Sequence, residues 1–290
     1  MPQPFVKPIT ITRFEHDQTS TVQELLAGEE PLEIRIGYGP EKDRQQKNIA
    51  VTMRTPGNDF ELALGFLFTE GIIQSGKQVH SIHYCTEVNT LENKENIVRV
   101  ELDSETELDF TRLQRNFYTT SSCGVCGKES IESVKTVCPF PQSEFPFEVN
   151  RHVLQGISQT LREAQQVFAY TGGLHASGLF DFEGRLLLLR EDVGRHNALD
   201  KLIGAVLGGV TLQKTYSIAL PLSNYVLLLS GRASFELIQK AAMAGIRLVC
   251  AIGAPSSLAV QMADELNITL IGFLKEHRFN IYTHPHRVIL

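Results

Sequence analysis

The sequence predicts an α/β protein: a layer of buried parallel strands and helices across residues 148–290, preceded by a mixed α+β region across residues 1–147. Two observations lead there. From Val149 onward, apolar residues switch between helical spacing and short continuous runs in the order helix, hairpin, helix, strand, helix, strand, helix, strand, which is the rhythm of parallel strands covered by crossover helices. Ahead of that stretch, pairs of alternating segments surround one helical segment. Pro139, Pro141 and Pro146 separate the two regions, because proline cannot continue a helix.

In chain order, residues 1–31 carry short alternating pieces, expected as an edge strand and a mobile arm. Residues 32–36 and 48–53 alternate around the polar stretch 37–47 and predict an antiparallel pair. Pro56-Gly57-Asn58 turns the chain into a helix whose inner face is Phe60, Ala63, Leu64, Leu67 and Phe68, ended by Gly71. Residues 81–85 and 97–102 predict a second strand pair, and residues 129–137 a short helix. Val153, Ile157, Leu161, Ala164 and Phe168 share one face of a single amphipathic helix. Residues 179–182 and 185–190 flank Glu183-Gly184 as a hairpin. A helix over 198–207 stops at Gly208-Gly209, its Leu202, Val206 and Leu207 suited to the core or to a subunit contact. Strands over 225–229, 248–252 and 269–273 then alternate with helices around Leu237–Ala242 and Leu258–Leu266, the last starting near Ser256.

Composition narrows the function classes. Twenty-seven basic against thirty-three acidic residues give a net charge of −6, which argues against a general nucleic-acid surface. The N-terminal Met1-Pro2-Gln3-Pro4-Phe5 has no basic segment leading into an apolar run, so no secretory signal is expected. No apolar run reaches the roughly 20 residues of a membrane helix. Five cysteines, an odd number without a repeated pairing pattern, fit free thiols in a reducing cytoplasm.

Two of those cysteines stand at a chemically meaningful spacing, in Ser122-Cys123-Gly124-Val125-Cys126-Gly127. Such a pair can share a metal, form a disulfide, or act in turn on a transferred sulfur atom. Gly124 and Gly127 predict a mobile loop. A structural zinc site wants four ligands, which would require His80, His83 or Cys85 to fold onto the loop, or a second chain to lend a pair. A thioredoxin-like redox role would require a strand leading into the pair, and none is evident.

Further polar strings fall at predicted strand ends and helix starts, where ligands of α/β sheets sit. Glu191-Asp192-Val193-Gly194-Arg195-His196-Asn197 and Ser230-Gly231-Arg232-Ala233-Ser234 each set a glycine and an arginine at a helix N-terminus, where free N–H groups and the dipole favour an anion such as phosphate. Thr171-Gly172-Gly173-Leu174-His175 can admit a flat ligand or form a plain turn. Phe273-Leu274-Lys275-Glu276-His277-Arg278 offers an aromatic face and cations, as a nucleotide would require, or a solvated charged turn. The element order also invites comparison with zinc deaminases, but their H-x-E and P-C-x-x-C positions read Arg195-His196-Asn197 and Ser230-Gly231-Arg232 here, so no catalytic metal is expected.

Taken together, the Cys-x-x-Cys loop, the Thr171–Ala176 string, the Glu191–Lys201 string, the Ser230–Ser234 string and residues 279–285 resemble the FdhD family of formate dehydrogenase accessory proteins, from about residue 48 onward. Glu-Asp-Val-Gly-Arg-His is the most specific part. The resemblance implies a cytoplasmic sulfurtransferase that accepts sulfane sulfur from a cysteine desulfurase, holds it as a persulfide and passes it to the molybdenum cofactor destined for formate dehydrogenase. It implies Cys123 as the persulfide carrier and Cys126 as its partner. It also implies that Phe273, Leu274, Lys275, Glu276, His277 and Arg278 bind the bis-molybdopterin guanine dinucleotide form; Arg195, His196, Gly231 and Arg232, at the two helix starts read above, are then expected as the accompanying anion site. A homodimer is expected, as is a three-layer α/β domain similar to cytidine deaminase but without its zinc. The competing expectation is a non-catalytic chaperone that binds the molybdenum cofactor and uses the cysteines for docking or zinc.

Overall fold

The computed structural model describes residues 5–85, 95–106, 108, 139–140, 146–208 and 218–290. Cys123, Cys126, the helix expected over 129–137 and much of the proline-bearing segment lie outside the described residues.

Strands β1 (Val6–Glu15) and β2 (Gln18–Ala27) form a ten-pair antiparallel hairpin. Its turn is His16-Asp17, both with positive φ (48° and 60°), the backbone twist that two-residue hairpins favour. The expected edge strand and arm are thus one ribbon, hidden in the sequence because neither turn residue is glycine or asparagine. Next come β3 (Glu30–Tyr38), β4 (Gln45–Arg54), α1 (Asp59–Thr69), β5 (Val79–Tyr84) and β6 (Ile97–Leu102). The four strands make a sheet of order β4-β3-β6-β5, with β3 parallel to β6 and the other pairings antiparallel, as the two expected strand pairs require. Helix α1 begins after Asn58 in the left-handed region (φ 57°) and carries Asp59 and Glu61 in its first turn, where negative charge suits the dipole.

The second half runs β7 (Val149–Asn150), α2 (Arg151–Ala164), α3 (Gln166–Thr171), β8 (His175–Phe180), β9 (Leu186–Asp192), α4 (Arg195–Leu207), β10 (Val226–Leu229), α5 (Phe235–Met243), β11 (Leu248–Ala251), α6 (Ser257–Glu265), β12 (Thr269–Lys275), β13 (Arg278–Ile281) and β14 (Val288–Ile289). Six strands form one sheet of order β13-β12-β11-β10-β8-β9. Only β10, β11 and β12 are mutually parallel; β8 pairs antiparallel with both β9 and β10, and β13 with β12, so the expected parallel layer is mixed. The single helix expected through Phe168 breaks at Gln165, because the Glu191 carboxylate accepts the Val167 and Phe168 N–H groups (3.2 and 3.0 Å) and starts a new helix. Ser256 caps α6, its hydroxyl accepting the Ala259 N–H at 3.2 Å. Among the described residues, no helix is long and apolar enough to cross a membrane.

One apolar cluster runs from the inner face of the small sheet (Leu32, Ile34, Val98, Val100) through α1 and α4 to one face of the large sheet (Leu227, Leu229, Val249). Residues before and after position 147 both belong to it. Leu202 and Val206 of α4 lie inside this cluster and Leu207 packs against it, which resolves the choice between core and subunit contact for that face. The opposite face of the sheet (Val226, Leu228, Cys250, Ile271) packs on Leu154, Ile157 and Leu161 of α2.

Helices α1 and α4 cross with their backbones touching. A β-carbon on Gly65 would stand 1.8 Å from the Asp200 carbonyl oxygen, and one on Gly204 would stand 1.8 Å from that of Glu61. Buried charge surrounds the crossing. Lys240 on α5 donates to both Asp200 oxygens (3.0 and 2.9 Å), to Glu70 (3.1 Å) and to the Thr69 hydroxyl (2.8 Å), while Arg190 pairs with Glu61 across 2.8 Å. Removing one partner from such a set leaves a charge stranded in the interior. Gly204→Ala is therefore expected to lower the unfolding free energy by about 3 kcal/mol through overpacking. Gly156→Ala, on α2 with open space around it, should instead raise it by up to about 1 kcal/mol by removing chain entropy. Urea denaturation of both variants checks the pair.

Candidate functional site

The chain leaves β10 as Ser230-Gly231-Arg232-Ala233-Ser234 and leaves β11 as Ile252-Gly253-Ala254-Pro255-Ser256. The two exits stay hydrogen-bonded side by side: Ile252 N–H donates to Leu229, Gly253 N–H to Gly231 and Ser256 N–H to Ala233, each at 3.0 Å. Phe273 N–H donates to the Gly253 carbonyl at 3.0 Å, adding β12 to the same edge. A β-carbon on Gly253 would stand 2.9 Å from Arg232 Cγ and 3.1 Å from its backbone nitrogen, so glycine is what lets the exits touch. Because β8 runs antiparallel to β10, its first residue, His175, also stands at this end. Ala176 N–H donates to Ser230 Oγ at 2.8 Å, and Ser230 N–H to the Ala176 carbonyl at 2.9 Å.

Strand β9 delivers the fourth component, since Asp192 lies opposite His175 and leads straight into α4. Within Glu191–Asn197 the side chains divide their work. Asp192, fully buried, accepts the Gly194 N–H (2.8 Å), the Thr55 N–H (3.1 Å) and the Asn197 amide (3.1 Å), and pairs with Lys201 at 2.7 Å. Asn197 also donates to the Met53 carbonyl at 2.8 Å. These groups fix the start of α4 against β4 and leave Arg195 and His196 for the strand-end cluster. Arg195 is half-buried and Arg232 exposed, and neither has an ion-pair partner among the described residues.

His196 Nε2 stands 3.3 Å from Ser234 Oγ and 3.8 Å from Glu236 Oε2, joining the first turn of α4 to that of α5. The nearby His196 ring, more than any other group, holds the Glu236 carboxyl down at about 2, against the effect of burial. Burial pushes the His175 imidazole below its ordinary value, and repulsion from Arg195 and His196 adds to this against the attraction of Asp192.

The remaining expected site residues form a hairpin tip. Glu276 and His277 link β12 to β13, with Lys275 opposite Arg278, so the segment folds back along β12 instead of simply following the last strand. A register shift between Gly272 and Lys275 places Phe273 at φ 52°, an uncommon backbone for a side chain of this size and one that recurs at ligand-contacting positions. The Arg278 guanidinium stands 5.9 Å from the Phe273 ring centroid. Lys275, Glu276, His277 and Arg278 are exposed, whereas the Leu274 side chain is buried against the α2 side of the sheet and does not face the strand ends.

The fold thus gathers Arg195, His196, Gly231, Arg232 and Phe273 at one edge, and brings to them His175, Ser234, Glu236 and Gly253. Two helix N-termini, two arginines without carboxylate partners among the described residues, and an aromatic ring can hold an anion that carries a flat group. The added residues had faint signals: Ser234 is a serine just ahead of a helical pattern, and Gly253 repeats the strand-then-glycine step of Gly231. Cys123 and Cys126 lie outside the described residues. Among the described residues, no group of three or more His, Cys, Asp and Glu side chains is placed to hold a metal ion.

Residues 27–289 match the model of the FdhD/NarQ family. The sulfur carrier protein FdhD of Mycolicibacterium paratuberculosis is 49% identical over 282 residues, 96% of this chain and 97% of that protein. That of Streptomyces avermitilis is 45% identical, covering 97% and 94%, and that of Sulfurisphaera tokodaii 39% identical, covering 98% and 99%. The crystal structure of a candidate formate dehydrogenase accessory protein from Desulfotalea psychrophila aligns over 99% of this chain and 100% of its own, with a TM-score of 0.71 at 21% identity, a likeness of fold.

The His196–Glu236 pair carries a pH signature. A carboxyl depressed on folding from 4.5 to about 2 adds stability above its unfolded value, and that stability is lost as pH falls from there through about 2. His196→Ala should therefore flatten the acid side of the stability profile. Urea denaturation at a series of acidic pH values checks this, and a profile parallel to wild type would contradict the pairing.

Proposed function

The chain belongs to the FdhD/NarQ family, and from that premise we propose that it is a sulfurtransferase that carries sulfane sulfur as a persulfide on Cys123 to the molybdenum cofactor. The observation that carries the reading is the convergence of Arg195, at the start of α4, and Arg232, on the β10 exit, beside Phe273 in a protein whose net charge is −6. Cations concentrated at one strand edge of an acidic protein suit a phosphorylated ligand. The relatives' shared name, sulfur carrier protein, supports the sulfur half of the proposal.

In this reading a cysteine desulfurase presents its own persulfide. The Cys123 thiolate attacks the outer sulfur, the donor's S–S bond breaks, and the donor leaves as a thiolate. The bis-molybdopterin guanine dinucleotide, held as substrate, rests its phosphates on the N–H groups and arginines of α4 and the Gly231 exit. Its flat portion lies against Phe273, with Lys275 and Arg278 on the hairpin alongside. Cys126 then attacks the inner sulfur of the persulfide, the outer sulfur departs as hydrosulfide to the metal of the cargo, and a Cys123–Cys126 disulfide remains for a thiol reductant to reopen. We read α2 through β12, two helices, an antiparallel hairpin and three helix–strand units, as a cytidine deaminase-like layer in which Arg195-His196-Asn197 and Ser230-Gly231-Arg232 stand where a deaminase keeps its zinc ligands. Formate dehydrogenase as recipient, a homodimer and a cytoplasmic setting complete the proposal.

Loading with labelled sulfur from a desulfurase, followed by peptide mass spectrometry, should place the label on Cys123, and Cys123→Ala should abolish transfer. Stoichiometric zinc with no label would favour a cofactor-binding chaperone instead. Arg232→Ala and Arg278→Ala should each weaken retention of the guanine dinucleotide cofactor by about tenfold, the scale of one lost charge-assisted hydrogen bond. Unchanged retention in both would overturn the placement of the ligand.

A further inference from the structure

Resting on the reading of the strand edge as a phosphate site, we infer that His175 is a further ligand-contacting residue there, and that it takes up a proton when the phosphates of a nucleoside diphosphate settle against it. The ring has its place because Gly231 has no side chain: a β-carbon there would stand 3.2 Å from His175 Nδ1 and 3.4 Å from Cε1. The ring is therefore packed over the Gly231 exit, beside the N-terminus of α4. It is half-buried, yet neither ring nitrogen has a hydrogen-bond partner among the described residues. Its ring nitrogens are not among the buried unpartnered atoms, so they stay open to solvent and within reach of a ligand that arrives at the edge.

The charges around His175 define what that atom is. From β9 comes Asp192, whose carboxylate is already occupied by the Gly194 and Thr55 N–H groups, Asn197 and Lys201. From α4 come Arg195 and His196, both of which oppose a proton on His175. From the β10 exit comes Arg232, next to Gly231. From α5 comes Glu236, engaged by His196. Glu191, adjacent on β9, is turned to the start of α3. Burial, with Arg195 and His196 alongside, disfavours a proton on the ring. A phosphate placed among them reverses the balance, so His175 gains a proton and donates it as a hydrogen bond to the bound oxygen, while the proton itself comes from solvent. By linkage, binding that raises proton affinity must itself strengthen as pH falls.

Titration calorimetry of the full chain with GDP, in buffers of different ionisation enthalpy near about pH 7, counts the protons taken up. Wild type is expected to absorb up to about one proton per GDP, and its affinity to rise by up to about tenfold per pH unit as pH falls toward the histidine range. The terminal phosphate of GDP titrates near pH ~6 on its own account, so the readout is the difference from His175→Gln, which should lose the uptake and the steeper part of the pH profile. Guanosine, lacking phosphates, should show neither. Independently of any variant, the His175 ring resonance of wild-type protein should titrate at higher pH with GDP than without. Equal proton uptake in His175→Gln, or a His175 titration unmoved by GDP, would overturn this inference and leave the phosphate site standing. Failure of GDP to bind wild type at any pH would overturn both.

Discussion

The crossing of α1 and α4 is the constraint on which the rest of the structure depends. Two helices whose backbones touch at Gly65 and Gly204 admit no side chain between them, so their relative position is set by the main chain itself. That crossing binds the small four-stranded sheet, through α1, to the large mixed sheet, through α4. It also determines where α4 begins. Since Arg195 and His196 are its first two residues, the placement of the strand-end cluster follows from a contact on the far side of the same helix. Each mid-helix glycine costs roughly 1 kcal/mol of helix propensity relative to alanine. Close packing and the buried Lys240–Asp200 and Arg190–Glu61 pairs offset that cost.

The strand-end cluster shows how one short string serves both architecture and chemistry. Glu191 starts α3, Asp192 gathers donors from β4, its own loop and α4, and Asn197 ties the first turn to Met53. These side chains face inward and are satisfied there. Arg195 and His196, between them in sequence, are left at the edge. Partnering divides the string: the two carboxylates are taken up by backbone and side-chain donors, while Arg195 and His196 stand in the first turn of α4, His196 beside Ser234 and Glu236. A negatively charged protein can therefore present arginines at one strand edge, because the acidic groups near them are already engaged.

Much of this was legible in the sequence, and the exceptions have physical causes. The strand pairs around residues 32–53 and 81–102, the helices after Asn58 and Ser256, and the strand ends bearing Arg195 and Arg232 follow from period, caps and glycine stops, all local signals. The β1–β2 ribbon was hidden because His16-Asp17 adopts positive φ without the residues that usually announce it. The break at Gln165 was hidden because its cause, Glu191, comes 26 positions later. Glu276-His277 was legible as a solvated charged turn, but the return of β13 along β12 was not, because it rests on the pairing of Ile281 with Ile271. His175 was ambiguous for the same reason as Gln165: only the antiparallel pairing of β8 with β10 brings it beside Gly231. Leu274 shows the converse error, since a contiguous string invites a contiguous site, whereas a strand sends alternate side chains to opposite faces.

The direct contact of α1 with α4 has a mechanical corollary. Side-chain interfaces can absorb a small displacement by changing rotamers, but a seam of carbonyl against glycine has no such slack. If cargo tilts the first turn of α4, the seam turns α1 with it, and α1 carries the inner face of the small sheet. The two glycines thus act as a rigid axle, so that a tilt of one helix is a tilt of both.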